Sequence, residues 1–466
     1  MSNIKFGTDG WRAVVGKEFN AENVALVTNA IGKYVYETFG SSKTIIIGYD
    51  PRNMADTFSM QSAKILSELG FQVLYSNKII PTPVLAYNAK VLNACALMFT
   101  ASHNPPEYLG IKFIPDYAGP ATSDITDKIV SFIGQSVEKF ADGKIIKTDF
   151  RNEYYKHIQS LINFEKIHDF IQKRAEKVIF DGLYSATIEY FSELLNDFVK
   201  IPYGSLHMKH DVNFGGGMPE PKPKFMSDLI ELIKKSDCTI GMANDGDGDR
   251  FGVINEKGEY VSPNEIIAIL LMHLKENKNY KGCLVKTVGA SLLLDKVAKK
   301  MDVDVIETPV GFKHVGEAMR KYNPIIAGEE SGGLSIQGHI PEKDGILANL
   351  LILEAMAYYN LSLCELQEKL YSLVGVHFYN DRVDLKLENQ DEVKPVLEKC
   401  KLFRSVGEDQ VKSIDTKDGV KLYLNDDNSW ILVRPSGTEP LLRIYFESNS
   451  LDKIEKLKAI VEKELQ

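Results

Sequence analysis

The sequence predicts an α/β chain: three similar units of alternating strands and helices with mixed or parallel sheets, followed by a smaller α+β segment. Three observations carry that prediction. Short β-branched runs alternate with longer stretches of helical periodicity over most of the chain. Each recurring unit has a strand that ends in a glycine-bearing polar loop. The carboxyl-terminal segment instead sets several strands close together before one amphipathic helix.

Taken in order, Lys43–Asp50 (KTIIIGYD) reads as a strand, followed by a helix to Leu69, the strand FQVLYS, a helix from Pro83 and the strand ACALMFT. This is a βαβαβ run, for which a parallel sheet is expected. The pattern restarts at KVIFDG, with a helix near Ser185–Leu195 and the strand CTIGMA before a loop at Asn244–Asp249. A third unit runs CLVKTV, helix, VDVIETP, helix, IIAGEE. The strands VKLYLN, WILVRPS and LLRIYFE then precede a helix over Leu451–Gln466 that carries Ile454, Leu457, Val461 and Leu465 on one face. No Ser/Gly linker separates the units, so they are expected to pack together. Ligands of open parallel sheets bind beyond the carboxyl ends of the strands, where the informative loops of this chain fall.

The length of 466 residues alone argues for about three domains, at roughly 150 residues each. Lys plus Arg total 55 against 64 Asp plus Glu, a formal charge of −9. That argues against nucleic acid or a membrane surface as the main partner, so an anionic ligand must be held by local positive charge. The cysteines Cys95, Cys238, Cys283, Cys364 and Cys400 include no CxxC pair and are expected to be reduced core thiols of a cytoplasmic protein. The start, MSNIKFGTDGW, lacks an apolar leader, and Glu354 interrupts the most apolar stretch, Ile346–Leu363. Secretion and membrane insertion are therefore not expected.

The sharpest motif is NDGDGDR at Asn244–Arg250. Its glycines let the backbone curl until Asp245, Asp247 and Asp249 converge. Three carboxylates without a cation would repel, and this many hard oxygen donors suit Mg²⁺ with room for a phosphate oxygen. A solvated acidic turn is the plain alternative. An EF-hand loop fails because Arg250 holds the position that needs glycine and the flanks read as strands.

TASHNPPEYLGIK, Thr100–Lys112, places Ser102 on a strand-end loop with His103 beside it. Read alone, it is better explained by a Ser/Asn turn with a satisfied histidine. There is no GxSxG elbow for acyl transfer, but a phosphoryl-transfer serine needs only positioning, charge and a nearby base. GEESGG offers Glu329, Glu330 and Ser331, a set able to grip a sugar diol or to form a polar turn, and TPVGFKH brings Lys313 and His314 to another strand end or helix start. RPSGTEP, with Arg443 close by, offers the Arg434 fork, the Ser436 and Thr438 hydroxyls and the open backbone of Gly437. That is a phosphate clamp or a bare hairpin turn.

Taken together, FGTDGWR, TASHNP, DGDGDR, GEESGG and RPSGTEP, in this order, resemble the α-D-phosphohexomutase superfamily, the phosphoglucomutases and phosphomannomutases, over essentially the whole chain. PPEYLGIKFIPDYAGPA and GHIPEKDGI look most like the bacterial phosphoglucomutases, as opposed to the phosphoglucosamine mutases. The resemblance implies four domains around a central cleft, drawn at residues 1–145, 146–255, 256–372 and 373–466. It makes Ser102 similar to the family's phosphoserine and metal ligand, and Asp245, Asp247 and Asp249 similar to its Mg²⁺ ligands. Glu329 and Ser331 match sugar-hydroxyl contacts. Arg434, Ser436, Gly437, Thr438 and Arg443 fall on the phosphate-binding segment and His103 on a substrate-binding position, while Arg12, Lys112, Arg250 and His314 line the reaction centre. Leu109 departs from the family, which usually carries a polar residue there.

The activity implied is Mg²⁺-dependent interconversion of glucose 1-phosphate and glucose 6-phosphate through phosphoserine and glucose 1,6-bisphosphate, which serves as intermediate and activator. The partners expected are small hexose phosphates, with no nucleic acid and no membrane, for a monomer or homodimer. Phosphomannomutase or dual specificity is the alternative. An aspartyl-phosphate phosphatase and a non-catalytic sugar-phosphate sensor are the more distant readings.

Overall fold

In the computed structural model, residues 4–7, 10–435 and 440–465 are described. Four sheets follow one another along the chain. The first has six strands in the order Trp11–Val14, Tyr108–Ile114, Cys95–Phe99, Ile45–Tyr49, Gln72–Ser76 and Lys144–Thr148. Its last four strands are parallel, three of them the strands of the βαβαβ pattern and the fourth, Lys144–Thr148, not foreseen by it; the first two pair antiparallel. The second sheet runs Tyr260–Val261, Phe251–Asn255, Ile240–Asn244, Val178–Asp181, Tyr203–Leu206, and the third Val305–Thr308, Leu284–Thr287, Ile326–Gly328, Leu334–Ile336; both are mixed. The fourth is antiparallel throughout, in the order Tyr379–Lys386, Leu441–Ser448, Trp430–Pro435, Val420–Leu424, Asp409–Asp415, Ser405–Val406. Helix Leu451–Leu465 buries Ile454, Leu457, Val461 and Leu465 in that unit's core.

Two sheets overrun the domain limits drawn from the sequence. Strand Lys144–Thr148 pairs with Gln72–Ser76 across the limit at 145, and Tyr260–Val261 carries the second sheet past 255. Cys238 is half-buried, so the expectation of a core thiol fails there; the other four free cysteines are buried. Cys238 lies in the turn between helix Ser227–Lys234 and strand Ile240–Asn244.

One apolar core runs through the first three units, from Ile46 to Leu370. Its centre is helix Gly345–Tyr359, which is apolar on all sides and buried over Gly345–Ala357. Glu354 on that helix is buried too, paired with His273 at 2.9 Å and Lys278 at 2.8 Å. Among the described residues no single helix is long and apolar enough to cross a membrane; this helix and Leu363–Val374 meet at a 77° bend.

The three units are also joined by a polar seam. Tyr87 stacks on His157 at 4.3 Å, the His157 and His339 rings meet at 2.9 Å, and His339 and Tyr154 both bond Asp344. Burial, then the neighbouring His339, pushes His157 down to about 4. The fourth unit has its own core and leans on the third through Trp430 and Leu432 packed against Val288.

Candidate active site

Strand Cys95–Phe99 delivers a loop in which Ser102 takes a left-handed backbone, φ 51°, a conformation unusual for a non-glycine residue. Its Oγ donates to Asp245 Oδ2 at 2.7 Å, and His103 Nδ1 lies 3.3 Å from that Oγ. Lys112 comes back beside this loop because Tyr108–Ile114 is a strand antiparallel to Cys95–Phe99, an element absent from the strands read in the sequence. Arg12 sits on the next strand, opposite Gly110, and donates to Asn104 Oδ1 at 2.7 Å. Gly110 is obligatory: a Cβ there would lie 2.6 Å from the Trp11 carbonyl oxygen and 2.7 Å from that of Thr100. Leu109 is fully buried in the first unit's core, which accounts for an apolar residue at that position.

DGDGDR forms the turn of a hairpin between Ile240–Asn244 and Phe251–Asn255, so its flanks are strands as expected. Gly248, at φ 76°, passes so close to Thr187 that a Cβ would fall 2.4 Å from its methyl group. The turn gathers Asp245, Asp247 and Asp249, fully buried, with one oxygen of each within 4.8 Å of the others. Lys112 Nζ donates to Asp247 Oδ2 at 2.6 Å and to Asp249 Oδ2 at 2.7 Å. Thr82 Oγ1 donates to Asp247 at 2.5 Å, and Lys343 Nζ stands 3.3 Å from Asp249. The Arg250 amide donates to Asp245 Oδ1 at 3.0 Å.

Burial, and then the charges of Asp249 and Asp247, push the Asp245 carboxyl well above the usual carboxylate range. Asp249 is buried as deeply, yet Lys112, Lys343 and Arg250 hold it well below that range. Oδ1 of Asp247 and Oδ1 of Asp249 are buried with no hydrogen-bond partner among the described residues. Converging carboxylates, one disfavoured as an anion and two with an orphaned oxygen, fit a hard divalent cation. Burial, then Arg250 and Arg12, keep His103 well below its ordinary value and hence neutral near pH 7.

The third and fourth units assemble a second set. Glu329 Oε1 accepts from the Gly311 amide at 2.9 Å, and Ser331 Oγ lies 3.4 Å from Glu329 Oε2. His314 is on the first turn of helix Phe312–Tyr322, its pKa lowered by burial and then by Lys313. Arg434 Nε donates to Asp418 Oδ2 at 2.7 Å, and that oxygen also accepts from the Val310 amide at 2.9 Å, which ties the fourth unit to the third. Arg434 and Arg443 are direct cross-strand partners, so two guanidinium groups share one face. Like charges placed so are unfavourable unless an anion lies between them. Nε of Arg443 is buried without a hydrogen bond among the described residues. Ser436, Gly437 and Thr438 lie outside the described residues.

Ser102, His103, Arg12, Lys112, Arg250 and the three aspartates thus come together at the meeting of the first and second units. Glu329, Ser331, His314, Arg434 and Arg443 belong to the third and fourth. The sequence reading missed Lys343 and Thr82. Lys343 stands in the segment GHIPEKDGI, whose only signal in the sequence is its resemblance to the family; Thr82 offers no signal beyond starting a helix.

Family models of the phosphoglucomutase/phosphomannomutase domains match in order: α/β/α domain I over residues 3–139, domain II over 152–258, domain III over 262–374 and the C-terminal domain over 383–464. A phosphoglucosamine mutase of Methanocaldococcus jannaschii is 31% identical over 421 residues, 88% of each chain. A phosphoglucomutase/phosphomannomutase of Thermococcus kodakarensis is 29% identical, covering 96% of this chain and 95% of its own. Among solved structures, a putative phosphomannomutase from Thermus thermophilus superposes with a TM-score of 0.87 at 29% identity, over 99% of both chains.

Proposed function

Since the chain belongs to the phosphoglucomutase/phosphomannomutase family, a group of phosphoryl-transferring mutases, we propose that it moves a phosphoryl group between the C1 and C6 oxygens of a hexose phosphate by way of phosphorylated Ser102. The observation that carries this reading is the Ser102 hydroxyl set 2.7 Å from a buried carboxylate of the three-aspartate cluster. Mg²⁺ bound by Asp245, Asp247 and Asp249, with Ser102 as a further ligand, would supply charge stabilisation for the transferring phosphoryl group.

The P–Oγ bond of phosphorylated Ser102 breaks as phosphorus bonds O6 of the hexose 1-phosphate. The hydroxyl proton passes to a base: of the candidates Lys112 and His314, the imidazole of His314, its pKa lowered by burial, can accept it, whereas Lys112, an ammonium between Asp247 and Asp249, stabilises the charge in transfer. Arg12, Arg250 and Lys343 surround the charge in transfer. The resulting 1,6-bisphosphate must turn end for end before Ser102 can take back the other phosphate. Arg434 and Arg443 hold whichever phosphate is distal, together with Ser436, Gly437 and Thr438, while His103 lies beside Ser102 at the transferring end. Glu329 and Ser331 suit both orientations if they grip O3 and O4, which exchange places on the flip. Packing of the fourth unit over the sugar excludes water, whose attack would make the enzyme a phosphatase.

The preferred sugar is glucose, as the sequence resemblance implies. Glucosamine phosphate is the second reading, favoured by the name of the 31%-identical relative; a grip on O3 and O4 does not itself discriminate at C2. A coupled assay with glucose, mannose and glucosamine 1-phosphates, Mg²⁺ and the matching bisphosphate ranks the three. Mass mapping after incubation with glucose 1,6-bisphosphate must find the phosphoryl group on Ser102, and Ser102→Ala must abolish turnover. Phosphate on an aspartate, or full activity of Ser102→Ala, overturns the mechanism.

A further inference from the structure

Beside the reacting groups, the loop that carries Ser102 is gripped from behind by one side chain. Arg52, 3% exposed, donates from Nη2 to the carbonyl oxygens of Ser102 at 2.6 Å and Asn104 at 2.7 Å. Its Nη1 donates to those of Pro105 at 2.7 Å and Tyr108 at 3.1 Å. Its Nε stands 3.2 Å from Asp50 Oδ2, and one face of the guanidinium lies 4.9 Å from the Phe214 ring of the second unit. Asp50 Oδ2 also accepts from Thr100 Oγ1 at 2.6 Å, and Thr100 Oγ1 accepts from the Ser102 amide at 2.8 Å.

The amide N–H and the carbonyl of Ser102 are therefore both fixed by one buried network, on either side of a Cα held at φ 51°. Left-handed backbone at a serine persists only where its surroundings over-determine it. Arginine alone has the planar fork to serve several carbonyls at once.

We propose that Arg52, with Asp50 and Thr100, is a positioning residue of the transfer reaction: it presets the Ser102 backbone so that Oγ faces Asp245 and its phosphoryl group is in line with the acceptor hydroxyl. This rests on the phosphoserine reading above. The role differs from loop stability because both half-reactions use the same Oγ, from which phosphate is delivered and to which it returns. Misplacement taxes the chemical step and leaves sugar binding, made by the third and fourth units, as it was.

The test compares wild type, Arg52→Lys, Thr100→Val and Thr100→Ser in steady-state kinetics, with the ³¹P spectrum of the phosphoenzyme as a second readout. Arg52→Lys and Thr100→Val are expected to lower kcat about 100-fold, the cost of an ångström-scale misplacement, with KM unchanged and the phosphoserine resonance shifted. Thr100→Ser keeps the hydroxyl and restores kcat. If Arg52→Lys does not fold, the Val and Ser variants of Thr100 decide. Equal kcat in Thr100→Val and wild type, or a rise in KM alone, overturns the positioning role. Failure of wild type to accept phosphate on Ser102 overturns the underlying reading instead.

Discussion

Replacing Lys112 with Met tests whether an internal ammonium balances the aspartate cluster. In the structure one Nζ serves Asp247 at 2.6 Å and Asp249 at 2.7 Å, and both carboxylates are fully buried. Breaking a buried ion pair from one side costs about 3–5 kcal/mol, because the remaining charge is left uncompensated. Methionine keeps most of the stem's packing, so that figure is chiefly electrostatic. Urea unfolding in a chelator is expected to show the variant about 3–5 kcal/mol less stable than wild type. Saturating Mg²⁺ should narrow the gap, because the cation replaces the missing charge and no longer competes with an ammonium. A gap below about 1 kcal/mol in chelator, the size of an exposed pair, or a gap that Mg²⁺ leaves unchanged, refutes the reasoning.

Trp430→Ala removes a buried ring that donates to Glu447 at 2.6 Å and packs on Val288. It should cost about 3–5 kcal/mol and expose the connection near Gly375 to limited proteolysis, with no change in cleavage if the ring does not dock the fourth unit. His157 is held neutral in the folded chain, whereas an unfolded histidine protonates near 6.5. Stability is then complete above about pH 6.5 and declines as pH falls toward about 4; His157→Gln should flatten that decline in thermal melts at pH 7 and pH 5. Gly110→Ala puts a Cβ against two carbonyl oxygens and should cost about 1–3 kcal/mol, together with activity, since Arg12 and Lys112 share that strand pair; a variant as stable as wild type would show that the strands can spread.

The strands of the parallel cores were legible because they are short, β-branched and followed by glycine loops. DGDGDR is legible as a candidate site because three converging carboxylates repel one another unless a cation joins them, a solvated acidic turn being the plain alternative. The antiparallel strand Tyr108–Ile114 is hidden by the prolines before it and by Gly110 within it, so the sequence alone draws no element around Lys112. Strand Tyr379–Lys386 was hidden for another reason: it lies at a sheet edge and is mostly exposed, so YNDRVDLK shows no apolar run. Thr82 and Lys343 gain their places only through contacts with Asp247 and Asp249, far away in the chain. Arg52 is similarly silent, since nothing local tells a residue that four distant carbonyls will turn toward it.

The shared core has a consequence for how the chain is made. The first unit's own apolar cluster draws on residues from Ile4 to Phe132 and can close soon after they leave the ribosome. The larger core cannot: it takes in Ile46 at one end and Leu370 at the other, with helix Gly345–Tyr359 through its middle. Apolar surface on the second unit must wait, uncovered, for a helix synthesised long after it. The final unit, with a core of its own between Val393 and Leu465, escapes this delay, as the first unit's own cluster does. Chaperone demand during synthesis should therefore peak before Gly345 emerges and fall once Leu370 has followed.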